Sequence, residues 1–201
     1  MPKPNVSEER KQTILFAAAQ VFTAQGLSIA RMDDVAAAAG ISKGTVYLYY
    51  PSKDKLIEAL LHRLFEPLEA ALVRLNESDA PIRERLMVYA QDNLLAFDTA
   101  RALHPLILEL FALSRRQDFA GQLFGTYFLR YRDNLRDILR AAAQRGELSL
   151  AVFGASEEQA SLSFMALLEG ILILAMMNPG LLSLQQDGTV AVQSWLRLLD
   201  A

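Results

Sequence analysis

Gly40 and Ser42 stand two residues apart in the run Asp34–Tyr47, and between them they restrict the local fold more than any other pair in the chain. Gly40 ends one short run of helix formers, because a left-handed turn residue is cheap only for glycine. Ser42 opens the next run, because its hydroxyl can accept a hydrogen bond from an N–H of the first turn. The flanking segments are predicted as helices over Met32–Ala39 and Lys43–Tyr49, and Pro51 forbids continuation of the second. Two short helices meeting at a glycine turn make a helix-turn-helix. Ala36 has to be small because the second helix crosses close above it, while Val35, Ile41 and Val46 are expected to point inward and lock the crossing. Capped by Ser42, the second helix turns the free amides and dipole of its first turn outward, where they are available to phosphate.

Helical punctuation continues along the rest of the chain, and no useful period-2 strand pattern or internal repeat is found. A first helix is expected over Ser7–Gln25, with Ile14, Leu15, Ala18, Val21 and Phe22 on one face and Gly26 after its end. Ser52 opens a long fourth helix at Lys53, in which Pro67 is expected to produce a kink or a split. Helix starts are read at Ser78–Pro81 and at His104–Pro105. A long amphipathic helix spans Asp118–Gln144 and stops at Gly146; Ser156 opens an unusually apolar helix that ends at Asn178–Gly180; Asp187–Thr189 precedes a last helix. The expected fold is therefore all-α, with about nine helices: a three-helix domain over residues 1–55 and a helical domain over 56–201.

Composition narrows the chemistry. With no Cys, disulfides, thiolate catalysis and Cys-based zinc sites are all removed, and no histidine pair at metal spacing is present, so neither a metal site nor a cofactor is expected. Residues 1–11 are polar, without the apolar core of a secretory signal. The apolar run Leu162–Met177 is shorter than the roughly 20 residues a membrane span needs, so it is read as a buried helix and the chain as cytoplasmic. Net charge is −3, yet residues 1–55 carry +2 and the remainder −5. A mildly basic head on an acidic body suits a module that meets phosphate at one end.

The run Gly44-Thr-Val-Tyr-Leu-Tyr-Tyr-Pro-Ser-Lys-Asp-Lys-Leu56, with Ile14-Leu15, Phe22, Gly26 and Asp34-Val-Ala36…Ala39-Gly-Ile-Ser42 before it, resembles the signature of the TetR family of transcriptional regulators. The match covers about residues 7–60; the remainder is similar only in size, helicity and helix order. The resemblance implies a bacterial regulator that grips double-stranded DNA at a palindromic operator as a homodimer, and that releases it on binding a small effector. Position and resemblance together assign the DNA contacts. Lys43, Gly44 and Thr45 lie on the first turn of the recognition helix, Ser42 caps it, and Leu48 adds apolar contact with a thymine methyl. Tyr47 is expected to give its hydroxyl to a phosphate, and Lys53 to grip the backbone. Tyr49 and Tyr50 are read as buttress residues and Lys55 as solvated. One departure stands out: Ala30-Arg31 replaces the hydroxyl pair usual before the second helix. Arg31 cannot cap, and either a phosphate contact or simple solvation fits it.

A DNA-reading head of about 55 residues does not need the apolar helices that follow. The helix through Leu162–Met177 is apolar around most of its circumference, which predicts burial on all sides. One side is assigned to a partner subunit, with the dimer interface placed at Phe164, Leu167, Gly170, Ile171, Leu174, Trp195 and Leu199. The effector pocket is placed at His62, Met87, Phe97, His104, Glu109, Phe111, Phe124, Tyr127 and Phe128, a mostly apolar set suited to a lipophilic ligand. Tilting of the helix from Lys53 would change the separation of the two recognition helices and so couple the halves.

Two rival classes are weaker. Gly40–Gly44 matches the G-x-S-x-G pattern of a serine nucleophile, but that pattern needs a preceding strand and here a helix precedes it. A helical interaction protein without DNA binding leaves the Lys43-Gly44-Thr45 turn unexplained.

Overall fold

A computed structural model describes residues 6–200; Lys3, counted in the basic head, lies outside them. Nine α-helices run in order among the described residues: α1 (Val6–Gln25), α2 (Met32–Ala38), α3 (Lys43–Tyr49), α4 (Lys53–Glu77), α5 (Ile82–Thr99), α6 (His104–Ser114), α7 (Asp118–Gln144), α8 (Glu157–Met177) and α9 (Thr189–Arg197). Short single-turn segments join them, and the described residues contain no strand.

The chain forms two compact units, one of Met1–Phe65 with Ala102–Leu123 and one of Glu66–Arg101 with Phe124–Ala201. This division differs from the expected halves at residue 55, because the first unit takes in the start of α4, all of α6 and the start of α7. In the first unit, α1 packs on α2 and on α6. Its buried face is the expected one, with Ile14, Leu15, Ala18, Val21 and Phe22 all in the core.

The second unit is built around one apolar cluster. It joins Leu72 and Leu75 of α4, Leu86 and Tyr89 of α5, Tyr131 and Leu135 of α7, Phe164 and Leu168 of α8, and Trp195 and Leu199 at the end of the chain. Trp195 is held from two sides. Its indole N–H donates to Ser163 Oγ at 2.9 Å, and its ring lies 4.8 Å from that of Phe164.

Three expectations change here. Pro67 does not split α4, which runs unbroken through it; its cost is the loss of one backbone hydrogen bond. Ser78 does not cap α5, whose cap position is Pro81; the freed Ile82 N–H is taken at 3.1 Å by the Glu147 carboxylate from across the same unit. And α8 is not buried all round. Phe164, Leu168 and Ile171 face the core, while Leu162, Ala166, Ile173, Leu174 and Met177 form an exposed apolar stripe. Four of the residues assigned to the dimer interface, Phe164, Ile171, Trp195 and Leu199, are thus buried inside the subunit. The reason is geometric: in an apolar helix the composition does not say which face the chain itself covers. Leu174 is exposed and Leu167 and Gly170 half-buried, so these remain on the outer side.

Candidate nucleic-acid interface

The turn between α2 and α3 is built as its residues require. Gly40 takes φ +65°, a left-handed value that a Cβ would strain. Val35, Ala36 and Val46 are buried, and Ile41 is half-buried. Ser42 Oγ accepts the Thr45 N–H at 3.1 Å and shares a 2.8 Å hydrogen bond with the Thr45 hydroxyl. This fixes the first turn of α3 and leaves Ser42, Lys43 and Gly44 exposed, with Thr45 half-buried.

Farther along the same face, Leu48 is 80% exposed and Tyr47 40%. An isolated leucine so open on an otherwise packed small helix has no partner inside the chain, as a residue aimed at a groove would not. Tyr50 is buried and Tyr49 half-buried, in line with buttressing.

Lys43 is not a free cation. Its ammonium lies 2.7 Å from one Asp33 carboxylate oxygen and hydrogen-bonds the other at 3.0 Å. That contact raises the Lys43 pKa, the hydrogen bond to Asp33 being the main cause. The pair is fully exposed, and solvent and salt weaken it. Arg31 is also exposed. Its own N–H donates to Asp34 Oδ2 at 2.8 Å, so the carboxylate three residues on ties back the start of α2 while the guanidinium stays in solvent.

Lys53 differs from expectation. Its ammonium turns inward and donates to the carbonyl oxygens of Leu27 and, at 2.6 Å, of Ala30. It also lies 5.8 Å above the Phe22 ring. Burial lowers its pKa, against the raising effects of Asp54 and Glu109. Lys53 therefore ties the α1–α2 loop to the start of α4, a role set by long-range folding that its position in the motif does not reveal. Lys55 is exposed and pairs with Glu58 at 2.6 Å.

The residues assigned to the pocket do not gather at one site. His62 is exposed on α4. Glu109 is exposed, and its carboxylate accepts the Leu27 N–H at 2.5 Å; it serves the α1–α2 loop, not an apolar cavity. His104 is buried on α6 and Phe111 half-buried. These four lie in the first unit. In the second, Met87 and Phe128 pack on the main cluster, Phe97 packs on a smaller one around Leu94 and Ile171, and Phe124 and Tyr127 are buried. Phe128 links two of them, with ring centroids 6.3 Å from Phe124 and 5.3 Å from Tyr127. Sequence reasoning did not single out Asp33, the partner of Lys43, or Glu169, discussed below. For Glu169 a signal existed: it is the sole charged residue between Glu158 and Asp187.

Residues 14–60 match the profile described as "Bacterial regulatory proteins, tetR family", and residues 81–198 match "BetI-type transcriptional repressor, C-terminal". The chain belongs to the TetR family. It is accordingly a DNA-binding transcriptional regulator and not an enzyme. Among TetR-family relatives, it is 41% identical over 63 residues to the transcriptional regulator SrpR of Pseudomonas putida, a stretch that covers 31% of this chain and only 30% of SrpR. It is 26% identical over 156 residues to BetI of Rhizobium meliloti, covering 78% of this chain and 77% of that one. The SmeT–triclosan complex shares the fold, with a TM-score of 0.83 at 22% identity, over 94% of this chain and 91% of that one. The high identity is thus confined to the DNA-reading head of this TetR-family chain, while the fold likeness extends through the body.

Proposed function

We propose that this regulator is a cytoplasmic homodimeric repressor that holds a palindromic operator through α3 and releases it when a small lipophilic molecule binds its helical body. The observation that carries the reading is the exposed first turn of α3, where Lys43, Gly44 and Thr45 stand out on a Ser42 cap with Leu48 beyond them. Lys43 and Thr45 reach base edges, Leu48 meets a thymine methyl, and Tyr47 and Arg31 take phosphates. In this reading the DNA-binding domain is residues 1–55, and residues 56–201 bind the effector and dimerise.

Dimerisation is supported by the outer stripe of α8, with Ile173, Leu174 and Met177, and by Val190 and Leu198 beside α9, all exposed large apolar residues. A two-fold pair places two recognition helices on half-sites a helical turn apart or more. α8 has the length and composition of a membrane span, but its inner face is committed to the core of the second unit, which favours a packed helix and a subunit contact.

A mobility-shift assay with the DNA upstream of the chain's own gene tests this. A retarded complex that resists non-specific competitor, and that contains two copies of the chain, is expected. Binding that competitor abolishes, or a one-copy complex at full affinity, contradicts it. Replacing Leu174 by Asp is expected to raise the dimer dissociation constant at least tenfold in analytical ultracentrifugation.

A further inference from the structure

Glu169 sits midway along α8 in a stretch otherwise free of charge from Gln159 to Gln186. Among the described residues its carboxylate accepts no hydrogen bond and makes no ion pair, and burial alone pushes its pKa up to about 7. The residues one turn and one position before it, Met165 and Leu168, belong to the main cluster of the second unit. That cluster also holds Tyr89 of α5 and Tyr131 of α7, whose ring centroids are 5.7 Å apart; Tyr127 follows at 6.2 Å from Tyr131. The charge of Glu169 acts on all three phenols and raises each of them. The Tyr89 hydroxyl is buried and completes no hydrogen bond. Tyr127 also lines a groove of about 280 Å³ between α4 and α7, with Glu66 and Glu69 among its walls.

A buried carboxylate without a partner is costly, and a fold that keeps one beside an unused hydroxyl leaves two polar groups to be satisfied by something else. An anion is repelled there. A metal ion needs more ligands than one carboxylate, and no group of three acidic or histidine side chains suited to a metal exists among the described residues. A neutral apolar ligand leaves the carboxylate unsatisfied. A cation on an apolar body satisfies it, and the faces of tyrosine rings attract the same charge.

We propose that Glu169, with Tyr89, Tyr127 and Tyr131, is the recognition pole of the effector site and selects an alkylammonium cation carried on an apolar group. This rests on reading the second unit as effector-binding. Glu169 supplies the counter-charge, the rings supply the wall, and the Tyr89 hydroxyl remains to hydrogen-bond a polar substituent.

The test titrates the full-length protein with benzyltrimethylammonium and with neopentylbenzene, which has the same shape and no charge. Wild type is expected to bind the cation at least tenfold more tightly. Glu169→Gln is expected to weaken cation binding about tenfold or more and to leave the neutral compound unchanged, with circular dichroism showing an intact helical fold. Glu169→Met, apolar and of similar length, gives the same answer should the Gln variant misfold. Equal affinity for both compounds in wild type overturns the cation assignment and leaves the effector site standing. Unchanged cation affinity in both variants overturns the role of Glu169. Failure of both compounds to bind wild type removes the effector site along with the assignment. A Glu169 variant that instead shifts dimer dissociation tenfold, with cation binding unaltered, assigns the carboxylate to the subunit contact and also overturns the proposal.

Discussion

The carboxylate of Glu109 on α6 accepts a hydrogen bond from the backbone N–H of Leu27 at 2.5 Å. On its other side the same loop is bound by Lys53, whose ammonium donates to the carbonyls of Leu27 and Ala30. The α1–α2 loop is thus clasped between an anion on its N–H and a cation on its carbonyls, which is the polarity the peptide dipole favours. The loop sets the entry of α2, and α2 sets α3, so the clasp connects α6 to the DNA-reading turn within one compact unit.

Gly26 makes the clasp possible. Its φ is +82°, and a Cβ there would meet Glu109 Oε1 at 3.0 Å. Gly26→Ala is expected to cost about 1–2 kcal/mol from the left-handed backbone alone, with added loss from the crowded carboxylate. Urea unfolding checks it. The double variant with Glu109→Ala recovers only the crowding part, so Gly26→Ala with wild-type stability contradicts the account.

Lys53→Ala is expected to lower stability and DNA affinity together while leaving the slope of log affinity against log salt unchanged, because its charge is spent inside the protein. Lys43→Ala is expected to flatten that slope by about one phosphate contact. Salt titrations of both variants on one duplex distinguish them. A flattened slope for Lys53→Ala returns that residue to the DNA backbone.

Asp33 holds Lys43 away from phosphate and places a negative charge beside it. Asp33→Asn is expected to tighten binding to non-specific duplex several-fold at low salt, and the gain is expected to vanish at high salt as exposed charges are screened. Fluorescence anisotropy with a random-sequence duplex measures it; equal binding by wild type and variant would show that the pair does not restrain Lys43.

Glu169 gives stability a pH dependence of unusual sign for a carboxylate. Its folded pKa, about 7, lies above the ordinary 4.5, so between those values the folded chain retains a proton that the unfolded chain has lost. Stability from this group is therefore full below pH 4.5, falls as pH rises through the window, and is lowest above 7, by on the order of 3 kcal/mol. Denaturant midpoints at pH 5 and pH 8 measure it. Glu169→Gln is expected to abolish this component and to be the more stable protein at pH 8; a variant less stable than wild type at pH 8 would mean the carboxylate is paired.

Element boundaries were legible where local chemistry marks them. The ends of α3, α7 and α8 match the positions of Ser42, Gly146, Ser156 and Asn178, because caps and breakers act within one turn. The left-handed Gly40 and the exposed Lys43-Gly44-Thr45 turn follow from the same short-range rules. Lys53 was misplaced for the opposite reason. Its partners, the carbonyls of Leu27 and Ala30, lie more than twenty residues away in sequence and arrive only through packing of α1 on α2. Glu109 is hidden similarly, 82 residues from Leu27. For α8, uniform apolarity concealed which face the chain covers, so core residues such as Phe164 and Trp195 were assigned to a partner. Sequence pattern ranks faces only where polarity differs between them.

The central claim is that the first turn of α3 reads base edges. Binding of the double variant Lys43→Ala, Thr45→Val to the upstream DNA and to a random duplex tests it most directly, since both side chains lie on the DNA-facing turn and the Ser42 cap on the Thr45 N–H is retained. The account predicts a loss of specific affinity of at least 100-fold, with a much smaller loss on the random duplex and no change in the urea midpoint. Full specific affinity in a folded double variant would contradict it.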